Sequence, residues 1–289
     1  MAWFIEDPCG AELAAAASDA LPPPRSSQSE LETVLAGPRD AAIAALLGGL
    51  GKSGPSPSDP CAVILAGLSG AGKSTTAAAV ARDPVVAAAF EDTVWVALGQ
   101  ACRVTVLRVM REVLEALLLP AQSRRAHPSH AVHLALPDTL EGATQLLRDV
   151  CARRSILLVV DDVWSADAAL PFLGAVDVPA TTPGARASAA LFTTRSGALL
   201  NHAVVRAALR RPCTYVAIPS LSAPAAESLL WHASDITGSD KGGKEGGADG
   251  GIVAAASAAL FRRIGQLLPL SLVLAGACVK AELAQVGGG

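Results

Sequence analysis

Nine residues constrain this chain more than any others: Gly67-Leu68-Ser69-Gly70-Ala71-Gly72-Lys73-Ser74-Thr75, which fit the pattern G-x-x-x-x-G-K-[ST] and add a further glycine at Gly70. Their chemistry is that of an anion cradle. The glycines let successive backbone N–H groups turn inward, Lys73 reaches the outer phosphates of a ligand, and the Ser74 hydroxyl can take a place on Mg²⁺. A helix opening at Gly72 adds the positive end of its dipole to the same spot. Before the loop, Cys61-Ala62-Val63-Ile64-Leu65-Ala66 is a short apolar run suited to a buried parallel strand; after it, residues 74–81 continue as a helix. Strand, glycine-rich loop and helix follow in the order phosphate binding needs, which an ordinary glycine-rich turn has no reason to do.

The rest of the composition narrows the setting. Half of the 289 residues are hydrophobic, but much of that is alanine, and the apolar stretch at 264–279 is shorter than a span and holds Gln266 and Pro269, so no membrane span is expected. Glu6 and Asp7 stand where a signal peptide carries positive charge, which predicts no secretion signal and a cytoplasmic location. A formal charge of −3 excludes a strongly basic surface, so no nucleic-acid partner is expected. The six cysteines are scattered without C-x-x-C spacing, which suits buried thiols in a reducing compartment. His127, His130 and His133 spell H-x-x-H-x-x-H, but Pro128 opposes a helix there and no acidic or cysteine partner lies close by. A surface loop is the better reading.

In chain order, residues 1–20 contain an Ala-rich possible helix, followed by a Pro/Ser linker over 21–29. Residues 41–50 carry Ile43, Leu46, Leu47 and Leu50 at helical spacing behind Gly37-Pro38, and 51–60 is a second Gly/Ser/Pro linker. Beyond the cradle come a strand over 93–98, a helix over 101–119 with Leu107, Met110, Leu114 and Leu117 on one side, and a helix begun by Asp138-Thr139-Leu140-Glu141. That helix leads into Ser155-Ile156-Leu157-Leu158-Val159-Val160-Asp161-Asp162-Val163-Trp164, an apolar strand that ends on two carboxylates. The carboxyl ends of parallel strands form the ligand crevice, which brings Asp161 to Mg²⁺ on the phosphates in the Walker-B role.

A third apolar strand, residues 189–194, is followed at once by Arg195, which by the same reasoning can point at a γ-phosphate, or can equally be a solvated loop arginine. Residues 215–219 end the sheet, with Pro219 favouring an edge. From Leu221 the character turns helical, beginning with the Ser222 cap and Pro224. Residues 238–251 form a low-complexity loop, and two helices are expected around 252–264 and 269–284.

These motifs, in this order, resemble the NB-ARC family, the nucleotide-binding switch module of plant disease-resistance proteins and apoptotic protease-activating factors, within the STAND group of P-loop NTPases. The resemblance runs from about Val34 to Lys280 and rests on the P-loop, the block from Asp83-Pro84 to Val96, the kinase-2 motif Leu157 to Trp164, the sensor block Leu191-Phe192-Thr193-Thr194-Arg195-Ser196, and Gln266 to Leu272, which is similar to G-L-P-L-A. It implies an α/β fold, a P-loop parallel sheet of about five strands flanked by helices and followed by a small partial helical bundle. The division expected is 1–28 as an N-terminal segment and linker, 29–219 as the nucleotide-binding domain, and 220–289 as an ARC1-like domain with a flexible loop at 237–251.

The resemblance also implies roles. ADP or ATP with Mg²⁺ is the ligand, Arg195 senses the γ-phosphate, Asp162 takes the place of the water-activating carboxylate, and Ser74 with Asp161 holds the metal. Gly67, Ser69, Gly70, Ala71, Gly72, Lys73, Ser74 and Thr75 hold phosphate. Pro269 and Leu270 pack on the adenine, with Leu35, Gly37 and Arg39 closing from the other side. Three departures stand out: Gly37-Pro38-Arg39 replaces a Gly-Arg pair, Leu268 replaces a glycine, and neither a winged-helix domain nor an M-H-D motif follows, which predicts a fragment or minimal form. The function implied is a slowly hydrolysing switch in signalling or defence, with protein partners or self-association. A turnover ATPase or kinase, or a nucleotide-free scaffold, are the alternatives.

Overall fold

The computed structural model describes residues 2–5, 35–48, 60–101, 103–119, 135–178, 187–197, 203–234, 259–262 and 267–286. The histidine triplet, the linkers at 21–29 and 51–59, the Ala-rich part of the N-terminal segment, and the low-complexity loop lie outside them. Six strands, β1 (Ala2–Ile5), β2 (Ala62–Ala66), β3 (Asp92–Ala97), β4 (Ile156–Val163), β5 (Ala189–Thr194) and β6 (Cys213–Ala217), form one sheet in the order β1-β3-β4-β5-β2-β6. Every pairing is parallel. Such a sheet is covered on both faces, which is why β4 runs Ile156 to Val160 with no exposed residue. β6 is an edge, as Pro219 predicts. β1 adds a sixth strand to the about five expected: Ala2-Trp3-Phe4-Ile5 is bulky and β-prone, and pairs in register with Thr93 to Val96.

The helices are α1 (Ala36–Gly48), α2 (Lys73–Arg82), α3 (Pro84–Ala89), α4 (Arg103–Leu118), α5 (Leu140–Arg153), α6 (Ala166–Val176), α7 (Ala203–Ala208), α8 (Ala223–Ala233) and α9 (Pro269–Val286). Thr139 caps α5 by accepting from the Gly142 N–H, and Asp83 caps α3 by accepting from the Val85 N–H. Helix α1 starts earlier than its hydrophobic spacing predicts, because Gly37 and Pro38 fall inside its first turn, where a proline has no hydrogen bond to lose. Ser222 does stand at the N-cap of α8, but its side chain makes no capping bond.

One face of the sheet is covered by α4, α5 and α6, whose Val109, Met110, Leu114, Leu147, Phe172 and Leu173 are completely buried. The other face is covered by α1, α2, α8 and α9, with Leu46, Ala77, Val80, Leu229 and Leu272 in a second core. Helices α8 and α9 cross closely at Gly276, where a Cβ would stand 2.6 Å from that of Ala233 and 2.7 Å from the Leu230 carbonyl oxygen. A larger side chain has no room there. Both helices therefore reach the second core as a joined pair.

Candidate nucleotide-phosphate site

The carboxyl end of β2 delivers the chain straight into the glycine-rich loop. The Gly67 N–H donates to the Thr194 carbonyl at 3.2 Å, which ties the start of the loop to the end of β5. Gly70 and Gly72 then take φ values of 77° and 94°, the left-handed region that strains any residue with a Cβ. Helix α2 opens at Lys73 with Gly72 at its N-cap and no capping side chain, so its first N–H groups are left for a ligand or solvent. Lys73 is buried, and its ammonium donates to the carbonyls of Gly67 at 2.9 Å and Leu68 at 2.8 Å. Burial depresses its pKa, the positive charge of Arg195 adds to the depression, and Asp162 and Asp161 oppose it. Among the other loop residues, Ala71 is buried with its N–H on the Leu68 carbonyl at 3.2 Å, Ser69 is exposed, and Thr75 lies half-buried in the first turn of α2.

The two carboxylates near the end of β4 take different environments. Asp161 accepts from the Ser74 hydroxyl at 2.8 Å and from the Thr193 hydroxyl at 2.5 Å, both on the same oxygen. Burial raises its pKa, the two hydroxyls and the Asp162 N–H counter that rise, and the Asp162 charge adds to it. Asp162 has φ 56°, the one non-glycine residue with positive φ among those described, and its N–H donates to the Thr193 hydroxyl at 2.8 Å. The β4–β5 pairing shifts register between Val160 and Val163, which makes Asp162 the extra residue of a bulge. Its carboxylate faces the Arg195 guanidinium at 3.7 Å, and that guanidinium lies 4.2 Å from the centre of the Trp164 ring.

From the opposite side, Leu35 and α9 meet the loop. A Cβ at Gly72 would stand 2.6 Å from Leu35 Cδ1 and 3.9 Å from Pro269 Cγ; one at Gly70 would stand 2.8 Å from Leu270 Cβ. The Leu270 N–H donates to the Gly70 carbonyl at 3.2 Å. Leu35, Pro269 and Leu270 are thus brought to the loop. Gly37 and Arg39 are not joined to it: no atom lies within 4 Å of a Cβ at Gly37, and Arg39 pairs with its neighbour Asp40 at 2.9 Å.

Sequence reasoning passed over Thr193 and Trp164. Each had a signal: a hydroxyl pair, Thr193-Thr194, at the end of an otherwise apolar strand, and an indole two residues beyond a pair of carboxylates. A cavity of about 700 Å³ lies elsewhere, between α4, α5 and α6, with Val106, Leu140, Thr144, Arg148 and Asp167 on its wall. Lys73, Leu35 and Leu270 lie against the loop itself. Among the described residues no three His, Cys, Asp or Glu side chains group as a metal cluster, and no helix is long and apolar enough to cross a membrane.

Distant similarities to solved structures extend over most of the chain. Cdc6p from Pyrobaculum aerophilum matches at 15% identity and TM-score 0.42, over 75% of this chain and 51% of that one. Drosophila ORC bound to DNA matches at 18% and 0.47, over 75% and 52%, and the FIGL-1 AAA domain in complex with ADP at 15% and 0.37, over 72% and 59%. The chain thus spans between half and three-fifths of the length of these structures, and at such scores nothing of their function carries over. No curated protein sequence matches it. The family model of the NB-ARC domain, by contrast, matches residues 39–212, from α1 through the P-loop, both carboxylates and Arg195 to the threshold of β6. The chain belongs to the NB-ARC domain family.

Proposed function

We propose that the chain is an ADP/ATP-binding switch domain, dependent on Mg²⁺ and slow in hydrolysis, that serves signalling or a defence response. One observation carries this reading: Lys73, Ser74, Asp161 and Arg195, from three separate parts of the chain, meet at the carboxyl ends of β2, β4 and β5. Oxygen donors alone, the Ser74 hydroxyl and the Asp161 carboxylate, are the set that a hard cation such as Mg²⁺ selects. When bound, Mg²⁺ supplies positive charge against the phosphate oxygens. The buried Lys73 ammonium, held here only by carbonyls, is a cation suited to exchange those partners for phosphate.

In this reading Gly67, Ser69, Gly70, Ala71, Gly72, Lys73, Ser74 and Thr75 hold the phosphates. Asp162 orients the attacking water, and Arg195 reports the γ-phosphate. Adenine lies between Leu35 on one side and Pro269 and Leu270 on the other. Residues 29–219 form the nucleotide-binding domain and 220–289 a helical domain; the α9 contact with Gly70 makes the loop state felt in α8 and α9. The switch works from the cytoplasm through protein partners or self-association.

Isothermal titration of the nucleotide-stripped chain with ADP and with ATP·Mg²⁺, beside Lys73→Ala, tests the reading. Binding of both nucleotides is expected, and the substitution weakens it at least about a hundredfold, a loss of about 2.7 kcal/mol. Well-folded protein that binds neither nucleotide leaves a scaffold rather than a switch.

A further inference from the structure

We propose that Trp164 is a positioning residue for Arg195, brought beside it by the bulge at Asp162. This rests on the reading of Arg195 as the residue that meets the γ-phosphate. Strands β4 and β5 pair Val160 with Phe192, and with regular register Asp162 would fall opposite Thr194. Instead Val163 does, because Asp162 in its left-handed conformation takes up one residue. The shift places Trp164 opposite Arg195, and side chains that a regular ladder would have turned to opposite faces now lie together.

Three contacts fix the result. The guanidinium carbon is 4.2 Å from the Trp164 ring centre, its Nε is 3.7 Å from Asp162 Oδ1, and the Thr194 hydroxyl donates to the Val163 carbonyl at 2.9 Å, closing the strand ends behind them. No hydrogen bond engages the two terminal guanidinium nitrogens among the described residues. Arg195 is about half exposed, so a long flexible side chain would sample many rotamers without the indole. A planar cation against an indole face keeps one orientation. Arg195 also follows Thr194, whose carbonyl accepts from the Gly67 N–H, so its backbone leaves β5 beside the start of the phosphate loop. Trp164 thus pre-orients the donor fork, and it acts on a ligand's last phosphate only through Arg195.

The test uses the full chain. In equilibrium titrations with a non-hydrolysable ATP analogue and Mg²⁺, Trp164→Ala weakens binding about two- to fivefold, from the strength of an exposed cation–aromatic contact. ADP affinity stays unchanged, Trp164→Phe restores most of the loss, and the Trp164→Ala/Arg195→Ala pair is no weaker than Arg195→Ala alone. A second measurement needs no nucleotide. The chain has four tryptophans, and in fluorine NMR of 5-fluorotryptophan-labelled protein the signal missing from Trp164→Phe identifies Trp164. That signal shifts in Arg195→Ala if the stack exists.

Equal losses for ADP and the ATP analogue, additive effects of the two substitutions, or a Trp164 signal indifferent to Arg195→Ala each overturn the proposal alone. Wild-type protein that binds no nucleotide overturns the phosphate-site reading and this inference with it.

Discussion

Helix α2 and the helices on the opposite face of the sheet are built from different material. Over the face covered by α4, α5 and α6, buried positions are filled with large side chains, among them Met110, Leu114, Leu147 and Phe172. Over the other face, the helix leaving the phosphate loop presents Ala77, Ala78, Val80 and Ala81. The difference follows from geometry. A chain that must pass from β2 through a tight loop directly into α2 has little freedom to lift the helix off the sheet, so small side chains are needed where they meet. The far face has no such constraint, and bulk there supplies stability without touching the ligand crevice. The small side chains belong to α2; elsewhere on that face Trp95, Leu46, Leu229 and Leu230 supply bulk of their own.

The sharpest way to break this division is Phe172→Ala. Phe172 is fully buried on the bulky face, and its truncation is expected to cost about 3–5 kcal/mol of stability. A urea melt measures the loss; nucleotide affinity of the folded protein should not change, and a large change would mean that the faces are not independent. Ala77→Leu on the opposite face probes the close approach of α2 and should cost about 1–3 kcal/mol by overpacking. Here titration should show weakened nucleotide binding as well, because the helix start moves with the helix. The smallest effect sharpens the comparison at a single bond: Thr193→Val removes the hydroxyl shared by Asp161 and the Asp162 N–H, at about 1 kcal/mol of stability. Titrations with and without Mg²⁺ should show the loss of affinity confined to the Mg²⁺-dependent part.

Much of the site was legible because its chemistry is local. The glycines of the loop, Lys73 and Ser74 occupy one stretch, and Asp161 ends a strand whose apolar run is unmistakable; each needs only its own neighbours to be recognised. What stayed hidden depends on which strand lies beside which. Thr193 matters because β5 sits between β2 and β4, a fact of sheet order rather than of local pattern. The bulge at Asp162 is a mismatch between two strands that no single strand displays. β1 was missed because four residues carry little periodicity and gain their place only by pairing with β3. Gly276 reads as an ordinary helix-weakening glycine until Ala233 and the Leu230 carbonyl stand against it. Arg39 illustrates the reverse case: a neighbouring carboxylate at Asp40 takes the charge that the family pattern leads one to expect at the ligand.

Helix α9 has 18 residues and its first turn is bonded to the loop at Gly70. At a rise of 1.5 Å per residue it is a rod of about 27 Å. A tilt of about 10° pivoting at Leu270 would carry the far end through about 4 Å, most of the pitch of one helical turn. The close approach at Gly276 packs α9 on α8, so such a tilt would carry both helices. A small tilt at the Gly70 end of such a rod would therefore reach its far end enlarged, by its length alone.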